Sequence, residues 1–370
     1  MSKADLPEAT GKMDFLVAPG ERIAELAAPL TDWFAAKLAP ARDVRVTSVC
    51  SPTTNGGSST TLFATVQWRE REPVARDFAV RLKPVSYRLF LRDNFEAQFH
   101  LMKHLAGHTD VPVPQVHFLE PDAAILGAPF FVMDKVAGDV PPDYPPFHAA
   151  GFLFDASLDQ RRRLWDSALQ TMVRVARVDV GSLPQIVERR RDESGPEENL
   201  RHWSDSLAWV YGEEPHALLE ATNDWLWRKL PKGLKTGLSW GDARVGNMIF
   251  RDWQCVAAID WETVTLAGPQ LDIAHWLLMD DFWSKYLGVK PLAGLPSREE
   301  TIQQWEDLTG FKADHLDWHQ VLAAYRLCII YERVCQLKGA AAGLKDETGD
   351  TLGIHQLRET FDRYGIDPLR

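Results

Sequence analysis

Asp242, Asn247 and Asp260 lie within one short stretch, LSWGDARVGNMIFRDWQCVAAIDWE, which runs from Leu238 to Glu262. Five positions separate the first two residues, and thirteen separate Asn247 from Asp260. The apolar runs NMIF and CVAAID fill the gaps, so polar groups stand at the ends of segments that otherwise belong in a core. Two strands joined at RDWQ form a hairpin, and a hairpin brings Asn247 and Asp260 to neighbouring ends. An amide carbonyl and a carboxylate converging there are hard oxygen donors suited to Mg²⁺. Asp242, on the loop just before, is within reach of a substrate hydroxyl. Gly-Asp, Gly-Asn and Asp-Trp are also ordinary turn residues. The spacing, with strands where the chemistry needs them, is what favours a site.

The elements that must hold these residues differ along the chain. ERIAELAAPLTDWFAAKL (21–38) has helical periodicity. TTLFATVQW alternates Leu62, Ala64, Val66 and Trp68 against Thr61, Phe63, Thr65 and Gln67, and ARDFAVRLKP alternates Phe78, Val80 and Leu82 against Ala79, Arg81 and Lys83, so both read as strands. DNFEAQFHLMKHL reads as a helix with Asp93 as its cap, Glu96 at capping-box spacing and a buried stripe of Phe95, Phe99, Met102 and Leu105. PFFVMDKV (129–136) is a third strand signal. After Gly138 come prolines and aromatics, then helices over 158–178, 199–211, 217–230, 297–308 and 318–338. The fold class expected is α+β: an N-terminal arm (1–20), a small β-rich N-lobe (21–136) and a larger α-helical C-lobe (137–370), with a hinge near Met133 to Gly138.

Composition narrows the partners. The 370 residues are 45% hydrophobic and 25% charged, as in ordinary globular proteins. A net charge of -11 argues against nucleic acid as a partner, because neutralising phosphates takes Lys and Arg. The four cysteines form no C-x-x-C pair and read as reduced core thiols. No apolar run is long enough to span a bilayer, and the polar N-terminus has no apolar leader. The expectation is a soluble, cytoplasmic protein without a membrane partner.

SWGDARVGNMIF followed by VAAIDWETVTLAGPQLDIAHWLL resembles the aminoglycoside phosphotransferase and choline-kinase-like family, small-molecule relatives of the protein kinases. The family pattern is H-G-D-x-x-x-x-N, an apolar strand, then D-x-[DE]. The similarity runs from about VTSVCSPTTNGGSS to AAYRLCIIYERV, most of the chain. TDVPVPQV, DWETVTLAGPQLDIA and AYRL are similar to the branch found fused to, or beside, acyl-CoA dehydrogenases, whose members are thought to phosphorylate hydroxyacyl compounds. The resemblance implies a bilobal protein-kinase-like fold that uses ATP, with GTP an alternative, and Mg²⁺.

Carried over residue by residue, the resemblance makes Asp242 the catalytic base and Asn247 and Asp260 the metal ligands. Arg244 takes a place where many kinases carry a Lys that stabilises the transferring phosphoryl group. Glu262 would help hold the metal or its water. Asp272 would support the catalytic loop, or else cap the helix that begins at IAHWLL. In the N-lobe, FAVR (78–81) matches V-A-I-K. This makes Ala79 a nucleotide-facing small residue and Arg81 the phosphate-pairing cation, with Glu96 steadying it. Gly57, Ser58 and Ser59 would cover the phosphates. Met133, Asp134 and Val136 would line the adenine with backbone groups.

Two residues depart from the pattern. The family His is Trp240 here, and the phosphate-pairing Lys is Arg81, with Lys83 two residues on and able to share its role. The function expected is transfer of a γ-phosphoryl group to a hydroxyl of a small molecule. The alternative, a nucleotide-binding pseudokinase, would call for loss of the base or of the metal ligands. A polycationic aminoglycoside would want carboxylates such as Asp280, Asp281, Glu306 and Asp307. A hydroxyacyl acceptor would want aromatic surface, and the C-lobe is rich in Trp. The segment from Gly138 to Asp155 reads either as a cover over the acceptor or as a loop packed flat on the C-lobe.

Overall fold

The computed structural model describes residues 23–52, 60–186, 193–212, 214, 216–339 and 343–369. They form two compact units, one made of Met1–Arg88 with Pro114–Val136 and the other of Leu89–Val113 with Ala137–Arg370. The second unit therefore includes residues 89–113, a segment expected within the N-lobe.

The first unit is an antiparallel sheet with one helix. Helix α1 (Ala27–Lys37) precedes strands β1 (Arg42–Cys50), β2 (Thr60–Arg69), β3 (Pro73–Leu82), β4 (Val116–Glu120) and β5 (Phe130–Asp134), in the sheet order β1-β2-β3-β5-β4. The alternation read in β2 is the buried face: Leu62, Ala64, Val66 and Trp68 are all buried. Trp33 and Phe34 of α1 close the core over Phe78, Val80, Phe130 and Val132. The strands absent from the sequence reading, β1 and β4, are the two edges of the sheet. An edge strand can carry charge on most positions, and RDVRVTSVC has no buried residue at all.

The second unit is mainly helical. It comprises α2 (Phe95–His108), α3 (Phe152–Asp155), α4 (Leu158–Ala176), α5 (Gly195–Tyr211), α6 (Ala217–Arg228), the hairpin β6 (Met248–Arg251) and β7 (Gln254–Ala258), α7 (Pro269–Asp281), α8 (Arg298–Thr309), α9 (Leu316–Lys338) and α10 (Leu352–Tyr364). The expected stripe of α2 is buried. Its cap is not as expected: the N-cap residue is Asn94, no side chain caps it, and Asp93 accepts from the Phe95 amide at 3.1 Å. Glu96 makes no capping box. Helix α5 begins four residues earlier than its pattern suggested, because Ser194 and Glu197 form a capping box with Pro196 at the start. Cys255, Cys328 and Cys335 are buried as expected, whereas Cys50 is exposed on β1.

The hairpin that carries the candidate site is as read. Met248 pairs with Ala258 and Arg251 with Gln254. The turn is Asp252-Trp253, both with positive φ (52° and 65°), the left-handed pair that suits a two-residue hairpin loop. Among the described residues no helix is long and apolar enough to cross a membrane.

Candidate functional site

The loop before β6 is anchored at its root by Asp272. This carboxylate, on the first turn of α7, accepts from Ser239 Oγ–H (2.7 Å), Trp240 N–H (2.8 Å) and Gly241 N–H (2.9 Å). The N-cap of α7 is Gly268, so the capping role considered for Asp272 is not the one it plays. Burial raises the Asp272 pKa above its ordinary value, against the hydrogen bonds from Ser239, Gly241 and Trp240. Trp240 is fully buried, and its indole N–H donates to the carbonyls of Ile259 (3.1 Å) and Asp260 (3.2 Å). The residue standing where the family has His therefore ties the loop to the end of the hairpin. Its ring also stacks on Trp261. Arg326, buried in α9, donates to the Gly241 carbonyl at 2.8 Å and lies over the Trp203 ring. Burial lowers the Arg326 pKa to about 10, opposed by Asp242 and Asp272, so it stays charged at neutral pH. Gly241 has φ +87°, and a Cβ there would lie 2.1 Å from the Thr263 carbonyl oxygen, so the turn admits only glycine.

At the tip of the loop, three side chains converge on Asp242. His275 Nε2–H donates to Oδ1 at 2.8 Å, and Asn247 Nδ2–H donates to Oδ2 at 2.7 Å. The Arg244 guanidinium lies 3.3 Å away. Burial alone would raise the Asp242 pKa, but the Arg244 charge and the bonds from His275 and Asn247 outweigh it and hold the carboxyl well below its usual range. Arg244 is gripped from the other side by Asp143, whose two oxygens accept from Nη1 at 2.7 and 3.0 Å. Burial works against its charge, and Asp143 with Asp242 more than restores it. Gly246 makes room for this pair, since a Cβ there would meet Arg244 Nη1 at 2.3 Å.

Asn247 is buried, and its amide nitrogen is engaged by the backbone and side chain of Asp242. Its carbonyl oxygen is then the atom suited to a cation. The Ile259 amide donates to the backbone carbonyl of Asn247 at 2.9 Å, so the hairpin does bring the strand end before Asp260 against Asn247. Asp260 itself has φ +61°, a conformation non-glycine residues adopt at a cost and keep where the surroundings enforce it. Among the described residues no group of three or more His, Cys, Asp or Glu could hold a metal. An Asn and an Asp are a fitting set for Mg²⁺, which takes one or two protein oxygens and completes its octahedron with phosphate and water.

Of the residues expected at the nucleotide, Ala79, Arg81, Met133 and Asp134 sit on the first unit's sheet. Ala79 is buried on β3, opposite Phe63 and Met133, and Arg81 pairs with Thr61 and Phe131. The Asp134 carboxylate is bound by His117 (2.7 Å) and Arg76 (2.9 Å), and its amide donates to Gln115. The next amide, that of Lys135, donates to Asp77. Glu96 is exposed on the first turn of α2. Gly57, Ser58 and Ser59 lie outside the described residues. The Glu262 carbonyl accepts from Asn94 Nδ2–H at 3.1 Å.

A family model described as Phosphotransferase enzyme family matches residues 54–310. The chain belongs to that family. Its branch is the one associated with acyl-CoA dehydrogenases: Acyl-CoA dehydrogenase family member 10 of Mus musculus is 28% identical over 204 residues, 54% of this chain and 18% of that protein. The chain spans about a quarter to a third of the length of other relatives of this kind, 24% and 31% in two of them. Among solved structures, a Ralstonia eutropha protein provisionally assigned as an aminoglycoside phosphotransferase matches with TM-score 0.65 and 19% identity, over 90% of this chain and 98% of that one. Aminoglycoside phosphotransferase APH(4)-Ia, solved with ADP and hygromycin B, matches with TM-score 0.55 and 14% identity, over 89% and 98%. Likeness at such identities shows the fold: α+β and protein-kinase-like.

His275, Arg326 and Asp143 were not singled out from the sequence. His275 carried a usable signal, because it lies one helical turn after Asp272 and so on the same face of α7. Arg326 and Asp143 carried none. The segment from Gly138 is tied down in several places: Asp139 and Phe250 exchange 2.8 Å backbone bonds, Asp143 holds Arg244, and His148 Nε2–H donates to Asp280 at 3.0 Å. Phe147 is buried, while Tyr144 is 49% exposed with its edge toward Trp283.

Proposed function

We propose that this phosphotransferase moves the γ-phosphoryl group of ATP, or GTP, to a hydroxyl of a small molecule, a hydroxyacyl compound before an aminoglycoside. The observation that carries this reading is the convergence of Arg244, His275 and Asn247 on Asp242. A carboxylate held ionised by three donors accepts the acceptor's O–H hydrogen bond and aims its oxygen. Its lowered basicity suits transfer through a loose transition state, in which the hydroxyl proton leaves late. Arg244 brings positive charge to the loop where phosphoryl oxygens would gather, and Asp143 fixes that guanidinium in place. Asn247 and Asp260 would hold Mg²⁺, which neutralises phosphate charge when bound. Arg81 would pair the phosphates. Ala79, Met133, Asp134 and Val136 would face the base, and Gly57, Ser58 and Ser59 would cover the phosphates. The APH(4)-Ia complex with ADP and hygromycin B supports a nucleotide and a hydroxylated acceptor as partners.

The test is ADP formation from Mg-ATP with a panel of hydroxylated compounds. Hydroxyl-dependent ADP release above the ATPase background supports the reading. Tight Mg-ATP binding without turnover on any acceptor supports the pseudokinase instead.

A further inference from the structure

Asn94 is the N-cap residue of α2, and asparagine is among the residues best suited to that place. It does not act as a cap. Its backbone, at φ -101° and ψ 12°, is away from the extended conformation that capping uses, and its side chain makes no cap bond. The Nδ2–H group donates instead to the backbone carbonyl of Glu262 at 3.1 Å, across 168 positions of chain. Helix-end chemistry does not account for that partner. The place of Glu262 beside Asp260 does.

Glu262 stands two residues after Asp260, and Ala258 stands two before it. The Ala258 amide donates to the Pro112 carbonyl at 2.7 Å. Asn94 and Pro112 flank α2, so the segment that carries this helix grips the chain on both sides of Asp260. Between those two bonds the backbone is held from the loop. Trp240 Nε1–H donates to the carbonyls of Ile259 (3.1 Å) and Asp260 (3.2 Å), and the Ile259 amide donates to the backbone carbonyl of Asn247 (2.9 Å). Asp260 has φ +61°, a conformation that persists where neighbours fix the adjoining peptides. Its carboxylate follows that angle, because rotation about N–Cα swings Cβ. Trp240 fixes the peptides on either side of the Asp260 Cα, and Asn94 fixes the peptide after Glu262.

The brace is itself anchored. Arg92, two residues before Asn94, pairs with Glu198 of α5, whose side chain is fully buried. Burial raises the Glu198 pKa, opposed by Arg92 and Arg201. A carboxylate so buried keeps its guanidinium in one place, and this sets where residues 92–94 lie.

We propose that Asn94 is a positioning residue for the metal site: through the Glu262 carbonyl it braces the backbone that keeps Asp260 in the conformation its ligand role needs. The inference rests on the phosphotransferase reading of Asn247 and Asp260. It adds a residue from outside the loop and the hairpin, one that acts through the backbone.

The test uses the full chain, with ADP, Mg²⁺ and Mn²⁺ as probes. Calorimetry gives ADP affinity across a Mg²⁺ titration and again in EDTA. Electron paramagnetic resonance of Mn²⁺ gives metal occupancy with ADP present, and urea midpoints follow folding. Asn94→Ser keeps a residue fit to cap a helix but ends one bond short of the Glu262 carbonyl. Asn94→Leu keeps the volume and has no donor. Each is expected to raise the Mg²⁺ concentration at half-saturation about tenfold, with ADP affinity in EDTA within about twofold of wild type. Mn²⁺ occupancy at a fixed sub-saturating concentration should fall in step. Half-saturation unchanged in the folded variants makes Asn94 a packing contact and overturns the proposal, even where the urea midpoints drop. Equal loss of ADP affinity with Mg²⁺ and in EDTA overturns it too, because the defect then lies at the nucleotide. A tenfold metal shift in a protein that never releases ADP from Mg-ATP with any hydroxylated compound would sink the phosphotransferase reading and leave the brace standing. Acceptor turnover with unaltered Mg²⁺ dependence in both variants would do the reverse.

Discussion

The root and the tip of the catalytic loop are each organised around a buried aspartate, and the two are prepared for opposite tasks. Asp272 at the root receives three uncharged donors, and burial still raises its pKa. Asp242 at the tip also receives three side chains, but one is a guanidinium, and its pKa falls despite burial. The number of hydrogen bonds is the same. The difference lies in whether a full positive charge stands beside the carboxylate. A carboxylate bound by neutral groups holds a backbone in shape, whereas one beside an arginine stays an anion able to meet a substrate.

Substitution at the tip is expected to separate the two most strongly. Asp242→Asn keeps shape and loses charge, so turnover should fall about a thousandfold while Mg-ATP affinity stays within about twofold. Steady-state kinetics and calorimetry check this, and near-normal turnover would remove Asp242 from the role. Asp260→Ala should come next, weakening nucleotide binding about 100-fold with Mg²⁺ present and not in its absence, since Asn247 alone is a poor site for a hard cation.

The root should answer in stability instead. Asp272→Ala strands three donors and should lower unfolding free energy by about 3 kcal/mol, read as a shifted urea midpoint. A midpoint equal to wild type would mean that the loop is shaped by something else. The sign with pH follows from the raised pKa. A carboxyl that holds its proton more tightly when folded stabilises below its ordinary value of 3.8, and that contribution is lost as pH rises through the folded value. Asp272→Asn should flatten this slope.

The Pro-rich segment gives a smaller version of the same contrast. Phe147→Ala, at a buried ring, should cost about 3 kcal/mol in stability. Tyr144→Ala, at a half-exposed ring, should leave the midpoint unchanged and raise the acceptor KM a few-fold. If Tyr144→Ala leaves KM unchanged as well, the segment is packing alone.

What the sequence determined by itself was what chain spacing determines. Asp242, Asn247 and Asp260 fall within one loop and one two-residue hairpin, so short-range geometry brings them to one end of β6 and β7. The stripe of α2 and the alternation of β2 and β3 follow from periods of 3.6 and 2. The edge strands β1 and β4 were hidden because they bury no residue and one residue respectively, so neither shows the alternation of a half-buried strand.

Tertiary structure decided the environment of those residues. Asp143 reaches Arg244 across 101 positions, His275 reaches Asp242 across 33, and Arg326 reaches Gly241 across 85. No local period encodes such contacts, which exist only once α7, α9 and the segment after Gly138 pack against the loop. Trp240 shows the same limit at a single position. Its departure from the family His was plain in the sequence. That its indole donates to two hairpin carbonyls depends on where the hairpin comes to rest. A side chain's chemistry belongs to its type, but its charge state and its partners belong to the low-dielectric surroundings that only the packed chain creates.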